Sequence, residues 1–62
     1  MKTNELIRKL LAAGCQLCRH GGNHDMWYSP ITGNYFTVGR HGAKEVPDGT
    51  ARKIAKDSGV EF

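Results

Sequence analysis

Few side chains in this chain can move a proton near neutral pH, and the best placed of them is His24. It closes the run Gly21-Gly22-Asn23-His24 and opens onto Asp25-Met26-Trp27-Tyr28, so a glycine turn delivers it at the mouth of an aromatic segment. An imidazole, with an ordinary pKa of about 6.5, can accept and return a proton at neutrality, which makes His24 a candidate for acid–base work. The two glycines can take positive φ without steric penalty, turning the chain sharply and leaving the next backbone N–H groups exposed. The plainer use of such a residue is a solvated or hydrogen-bonded histidine at a strand end.

Cys15 and Cys18 form a C-x-x-C pair, with His20 and His24 close behind. Redox pairs and half-sites for zinc share that spacing. Four ligands within ten residues make a cramped tetrahedron, whereas zinc sites usually draw their second ligand pair from much further downstream. A redox pair would need a βαβ setting, which the pattern lacks. The expectation is two small, semi-buried hydrophobes in a strand, no metal and no cofactor. His20 is expected in a solvated loop. The six acidic residues are scattered, and none forms a pair suited to magnesium.

These residues need a scaffold. Asn4 to Ala13 carries Leu6, Ile7, Leu10 and Leu11, the spacing of a helix with one buried stripe. Thr3 or Asn4 can cap its start, Glu5 suits its first turn and Gly14 can close it. Cys15 to Arg19 is too short for a helix and is bounded by glycines, which predicts a strand. His24 to Ser29 and Asn34 to Arg40 are rich in Met, Trp, Tyr, Phe, Thr and Val and predict two more, joined by the hairpin material Pro30-Ile31-Thr32-Gly33-Asn34. Alternation puts Phe36 and Val38 inside. Burying Trp27 then leaves His24, Met26 and Tyr28 on the open face.

After Arg40-His41-Gly42 comes a loop with Pro47 as a breaker. Thr50 to Ser58 follows as a second helix with the narrow stripe Ala51, Ile54, Ala55 and Ser58, ended by Gly59 and Val60. Its other face presents Arg52, Lys53 and Lys56. The order is therefore α-β-β-β-α, a small α+β fold with a three-stranded antiparallel sheet and both helices on one face.

Sixty-two residues make a single domain, too small for a large enclosed pocket, so any site lies on an open surface and suits an extended or macromolecular substrate. Nine Lys plus Arg against six Asp plus Glu give a net charge of +3, which points modestly toward a polyanion. No apolar run approaches the ~18 residues of a membrane span and no signal-peptide core is visible, so the expectation is a soluble protein in the cytoplasm.

Three runs together carry a family likeness: Gly21-Gly22-Asn23-His24 before an aromatic strand, Thr37-Val38-Gly39-Arg40-His41, and Lys44-Glu45-Val46-Pro47-Asp48-Gly49-Thr50 leading into Arg52-Lys53-Ile54-Ala55-Lys56 and Ser58-Gly59-Val60. In order and spacing they resemble the HicA (YcfA-like) toxins, and with the first helix the likeness covers nearly the whole chain. Gly39 stands where that family commonly has proline, and Ala51 where a larger aliphatic is usual. The resemblance implies a fold similar to a double-stranded-RNA-binding domain. It also implies an mRNA-cleaving toxin encoded beside a HicB-type antitoxin, with the family's active histidine falling on His24.

Such chemistry can proceed without metal: a base takes the proton of a ribose 2′-hydroxyl as its oxygen attacks phosphorus, and an acid protonates the leaving 5′-oxygen. His24 is the proton-transfer residue expected, and the glycine turn, Gly22 included, offers N–H donors to phosphate. Arg40, His41 and the helix face of Arg52, Lys53 and Lys56 are expected to touch RNA, and Tyr28 and Tyr35 are suited to stack on bases, although packing is their commoner use. The expected state is a monomer alone and a hetero-oligomer with the antitoxin. The alternatives are a non-catalytic RNA-binding module of the same shape and a zinc domain on Cys15, Cys18, His20 and His24.

Overall fold

In the computed structural model, which describes residues 1–40 and 43–62, the elements run α1 (Thr3–Ala12), β1 (Gln16–His20), β2 (His24–Tyr28), β3 (Tyr35–Gly39) and α2 (Asp48–Ser58). The sheet is antiparallel with strand order β1-β2-β3. This is the α-β-β-β-α order expected. His41, named above beside Arg40, lies outside the described residues.

Leu6 and Leu10, one turn apart on α1, are fully buried and Ile7 packs beside them. Burying each leucine is worth about 1.5–3 kcal/mol. Leu11, expected in the same stripe, is instead 57% exposed, because it lies about 100° round the helix from Leu10. The helix starts one residue earlier than expected, and neither Thr3 nor Asn4 caps it: Lys2 occupies the cap position without a side-chain bond. The backbone N–H and hydroxyl of Thr3 both donate to the Lys44 carbonyl, at 3.0 and 3.2 Å. At the other end Gly14 takes φ +92°, while the N–H groups of Gly14 and Cys15 donate to the carbonyls of Leu11 and Leu10. This two-bond closure satisfies carbonyls that the helix leaves unpaired.

Trp27, Phe36 and Val38 face inward as the alternation requires, and join Leu6, Leu10, Cys15, Val46, Ile54 and Val60 in one core cluster. The two cysteines part company. Cys15 is buried just before β1, but Cys18 is exposed at a register shift between Leu17 and Arg19, and every residue of β1 is exposed. The expectation of two semi-buried cysteines in a strand is thus corrected at both: Cys15 is buried ahead of β1, and Cys18 lies in β1 but is exposed. β1 is an edge strand, and α2 packs against β3 at the other side of the sheet.

α2 begins at Asp48, two residues ahead of the expected Thr50, with Pro47 extended at the cap. A helix start immediately after proline is natural, since its fixed φ suits the helix entry. Ile54 and Ser58 are buried, Ala51 and Ala55 half-buried, and Gly59 ends the helix at φ +74°. The β2–β3 turn then caps the last carbonyls. Thr32 Oγ1 and Asn34 Nδ2 donate to the Asp57 carbonyl at 2.6 and 3.3 Å, and the buried Ser29 hydroxyl donates to that of Ser58.

Candidate functional site

The β1–β2 turn that carries His24 is held by backbone. The Gly21 N–H donates to the His24 carbonyl at 2.9 Å, and the Arg40 N–H donates to that of Asn23 at 3.2 Å. Neither Gly21 nor Gly22 has positive φ, contrary to the expectation for this pair. Gly21 is required for a different reason. A Cβ there would stand 2.3 Å from the His24 carbonyl oxygen, whereas around Gly22 there is open space.

A side-chain network missed by the sequence reading braces the same turn. Asp25 shares the inward parity of Trp27 and is buried at the end of the sheet. Its Oδ1 accepts from Arg40 Nε at 3.0 Å and Nη2 at 2.8 Å, and lies 3.1 Å from His20 Nδ1. Arg40 Nη2 also donates to the Gly21 carbonyl. The arrangement follows from register: His20 pairs directly with Asp25, and Arg40 lies two residues beyond Val38, the partner of Asp25 on β3. The Arg40 hydrogen bonds hold the Asp25 carboxyl below the usual carboxylate range, outweighing the opposite push of burial, and His20 adds to the effect. His20 is therefore the last residue of β1 and a partner of Asp25, and not a loop residue.

The expected alternation was the clue to Asp25. Once Trp27 is placed inside, so is Asp25, and an inward carboxylate demands a cationic partner. Arg40, expected to touch RNA, also braces Asp25 and Gly21, a contact that follows only from the β2–β3 register.

His24 itself is exposed and pairs with Gly39 across the sheet. A Cβ at Gly39 would lie 4.0 Å from the His24 ring, in ordinary contact with the imidazole. Beside the ring runs an open groove of about 480 Å³ between β3, the 44–47 loop and α2. Its floor is Leu6, Val38 and Ile54; its rim includes Thr37, Lys44, Thr50 and Lys53. Lys53 is 3.2 Å from Asp57 on the next turn of α2, and Glu45 is bound by the Met1 amino group and lies 3.8 Å from Lys2 Nζ. The Thr3–Lys44 bonds and a Val46 N–H to Met1 carbonyl bond of 2.8 Å seat the 44–46 segment against the N-terminal residues.

Of the expected site residues, His24 and Lys53 line the groove, Arg52 and Lys56 lie exposed on α2, Gly22 is exposed in the turn, and Arg40 is turned to Asp25. Among the described residues, no three His, Cys, Asp or Glu side chains come together as a metal site, and the set Cys15, Cys18, His20 and His24 is not assembled.

The chain is a small α+β domain of net positive charge, with a backbone-braced histidine beside an open groove. A family model described as "HicA toxin of bacterial toxin-antitoxin" matches residues 3–60, nearly the whole described chain. The chain belongs to the HicA toxin family and is the toxin of a toxin–antitoxin system, which implies an antitoxin partner. No curated protein and no solved structure matches it significantly. Among the described residues, no helix is long and apolar enough to cross a membrane.

Proposed function

We propose that this toxin is a metal-independent endoribonuclease that cuts mRNA in the cytoplasm as a single domain and is silenced by a HicB-type antitoxin. The observation that carries the reading is His24, an exposed imidazole at a groove, on a turn tied down by backbone bonds and by Arg40. His24 moves the proton. It withdraws it from a ribose 2′-hydroxyl as that oxygen attacks phosphorus, and an acid supplied by solvent or a neighbouring side chain protonates the leaving 5′-oxygen as its bond to phosphorus breaks. The RNA backbone is tracked by Gly22 at the open turn, by Arg40 and His41 after β3, and by Arg52, Lys53 and Lys56 on α2. Scattered carboxylates favour a site that uses no magnesium.

The test is RNA cleavage in excess EDTA, wild type beside His24→Ala. Wild type is expected to leave a 2′,3′-cyclic phosphate or its 3′-phosphate product. The variant is expected to lose on the order of 10²- to 10⁴-fold in rate while folding and binding antitoxin as before. A 5′-phosphate product, activity restored only by magnesium, or a stable variant cutting at the wild-type rate refutes the mechanism. Retained RNA binding with no cleavage by wild type leaves the non-catalytic RNA-binding module.

A further inference from the structure

The sheet has a face that the helices leave uncovered. On it β2 presents His24, Met26 and Tyr28, and β3 presents Tyr35 and Thr37, residue opposite residue: His24 across from Gly39, Met26 from Thr37, Tyr28 from Tyr35. β1 adds Arg19 opposite Met26 and Gln16 opposite Tyr28. The rings of Tyr28 and Tyr35 are 5.0 Å apart and tilted by 53°, and Tyr35 is 65% exposed. Its ring therefore contributes little to the core and stands open to solvent.

We propose that this face is a stacking platform for unpaired bases of a single-stranded RNA segment, seated on the Tyr28–Tyr35 pair with Arg19 as its cation. The proposal rests on the ribonuclease reading and adds to it the strandedness of the substrate and the direction in which it leaves His24. Three observations favour RNA over a protein partner. The first is charge: Asp25, the lone carboxylate in the three strands, points to the opposite face, and the uncovered face keeps Arg19. The second is size. Three strands of five residues span about 17 Å by about 14 Å, roughly 240 Å², far below the ~800 Å² per partner of a stable protein interface. A base needs only one ring face, and stacking tolerates any base.

The third observation is alignment. His24 and Tyr28 begin and end the same strand on the same face, about 13 Å apart at 3.3 Å per residue. A stretched single strand whose scissile phosphate lies at His24 runs along β2 and presents its next bases to the tyrosines. A duplex, with its bases paired inside, has no base to offer them.

The test uses the full chain and a single-stranded, 2′-O-methylated RNA oligonucleotide, which lacks the nucleophilic hydroxyl and stays intact. A 2-aminopurine in the oligonucleotide reports stacking through quenching. Wild type is expected to quench the probe, and Tyr35→Leu to weaken binding roughly 5- to 100-fold and abolish quenching. Tyr35→Phe keeps the ring and is expected to bind as wild type, which separates stacking from any loss of fold. A duplex of the same sequence is expected to lose nothing from Tyr35→Leu.

Equal affinity and quenching for wild type and Tyr35→Leu overturns the platform while leaving the ribonuclease reading intact if wild type still cuts unmodified RNA. Weakened antitoxin binding by Tyr35→Leu with unchanged RNA affinity assigns the face to protein and equally overturns it. A chain that neither binds nor cuts RNA removes both readings.

Discussion

Replacing Gly21 by alanine tests whether the turn places His24. The added Cβ would stand 2.3 Å from the His24 carbonyl oxygen, where ordinary contact begins at 3.4 Å, so the two must part by about 1 Å. Both atoms belong to tightly bonded backbone or sit on it, and no side-chain rotation relieves the clash. A shift of that size breaks the 2.9 Å bond from the Gly21 N–H to the same oxygen, a loss of about 0.5–1.5 kcal/mol. It also moves the Gly21 carbonyl away from Arg40. For a domain of this size, about 1–2 kcal/mol lowers Tm by roughly 4–16 °C. Activity suffers more, since misplacing a catalytic group by ~1 Å can cost on the order of 10²-fold.

Gly22→Ala is the control. Its φ is ordinary and a methyl group added there would have no neighbouring atom within 4 Å, so stability should stay within about 0.5 kcal/mol of wild type. Circular-dichroism melts of the two variants, with the RNA cleavage rate of Gly21→Ala, decide the matter. Gly21→Ala with wild-type Tm and rate, or the two variants equally destabilised, would refute the close-approach argument.

Gly59→Ala should be more damaging to the fold: φ is +74° and a Cβ would meet Ile31 Cγ2 at 2.8 Å, so the left-handed strain and the clash together cost about 2–4 kcal/mol by urea unfolding. Asp25 should make stability sensitive to acid. Its pKa is depressed in the folded state, so its contribution is complete above the ordinary carboxylate value of about 3.9 and is lost as pH falls through the folded value. Unfolding curves across that window should be flatter for Asp25→Asn than for wild type. Combined alanine substitution of Arg52, Lys53 and Lys56 should weaken RNA binding with little sequence dependence and reduce its salt slope by as much as about 0.7–0.9 for each phosphate no longer neutralised; an unchanged salt titration means that this helix face is only solvated.

The helices and strands were legible because their periodicities differ: Leu6 and Leu10 recur at one turn, while Phe36 and Val38 alternate, and both pairs are buried. Gly59 and Gly14 were readable as helix ends by type and position. Less legible was anything that depends on which strand residue faces which. Asp25, His20 and Arg40 are separated along the chain and meet only through the register of two hairpins. Gly21 was recognised as special but for the wrong cause, since sequence reveals that a residue lacks Cβ and not what would collide with it. The exposure of all β1 likewise reflects how far the helices reach across the sheet. Composition alone does not encode that reach.

The exposed edge strand has a practical use. Cys18, unlike Leu17 opposite Trp27 and His20 beside Asp25, has no partner in the register with β2, so it can carry a probe at little energetic risk. Cys18 already supplies the attachment point: its thiol is exposed at the bulge, whereas Cys15, the other cysteine of the chain, is sealed in the core. A thiol-reactive dye should therefore couple at one position of the unmodified sequence. Placed one residue from Arg19 and two from His20, it becomes a built-in reporter for whichever molecule arrives at that end of the sheet first, nucleic acid or antitoxin.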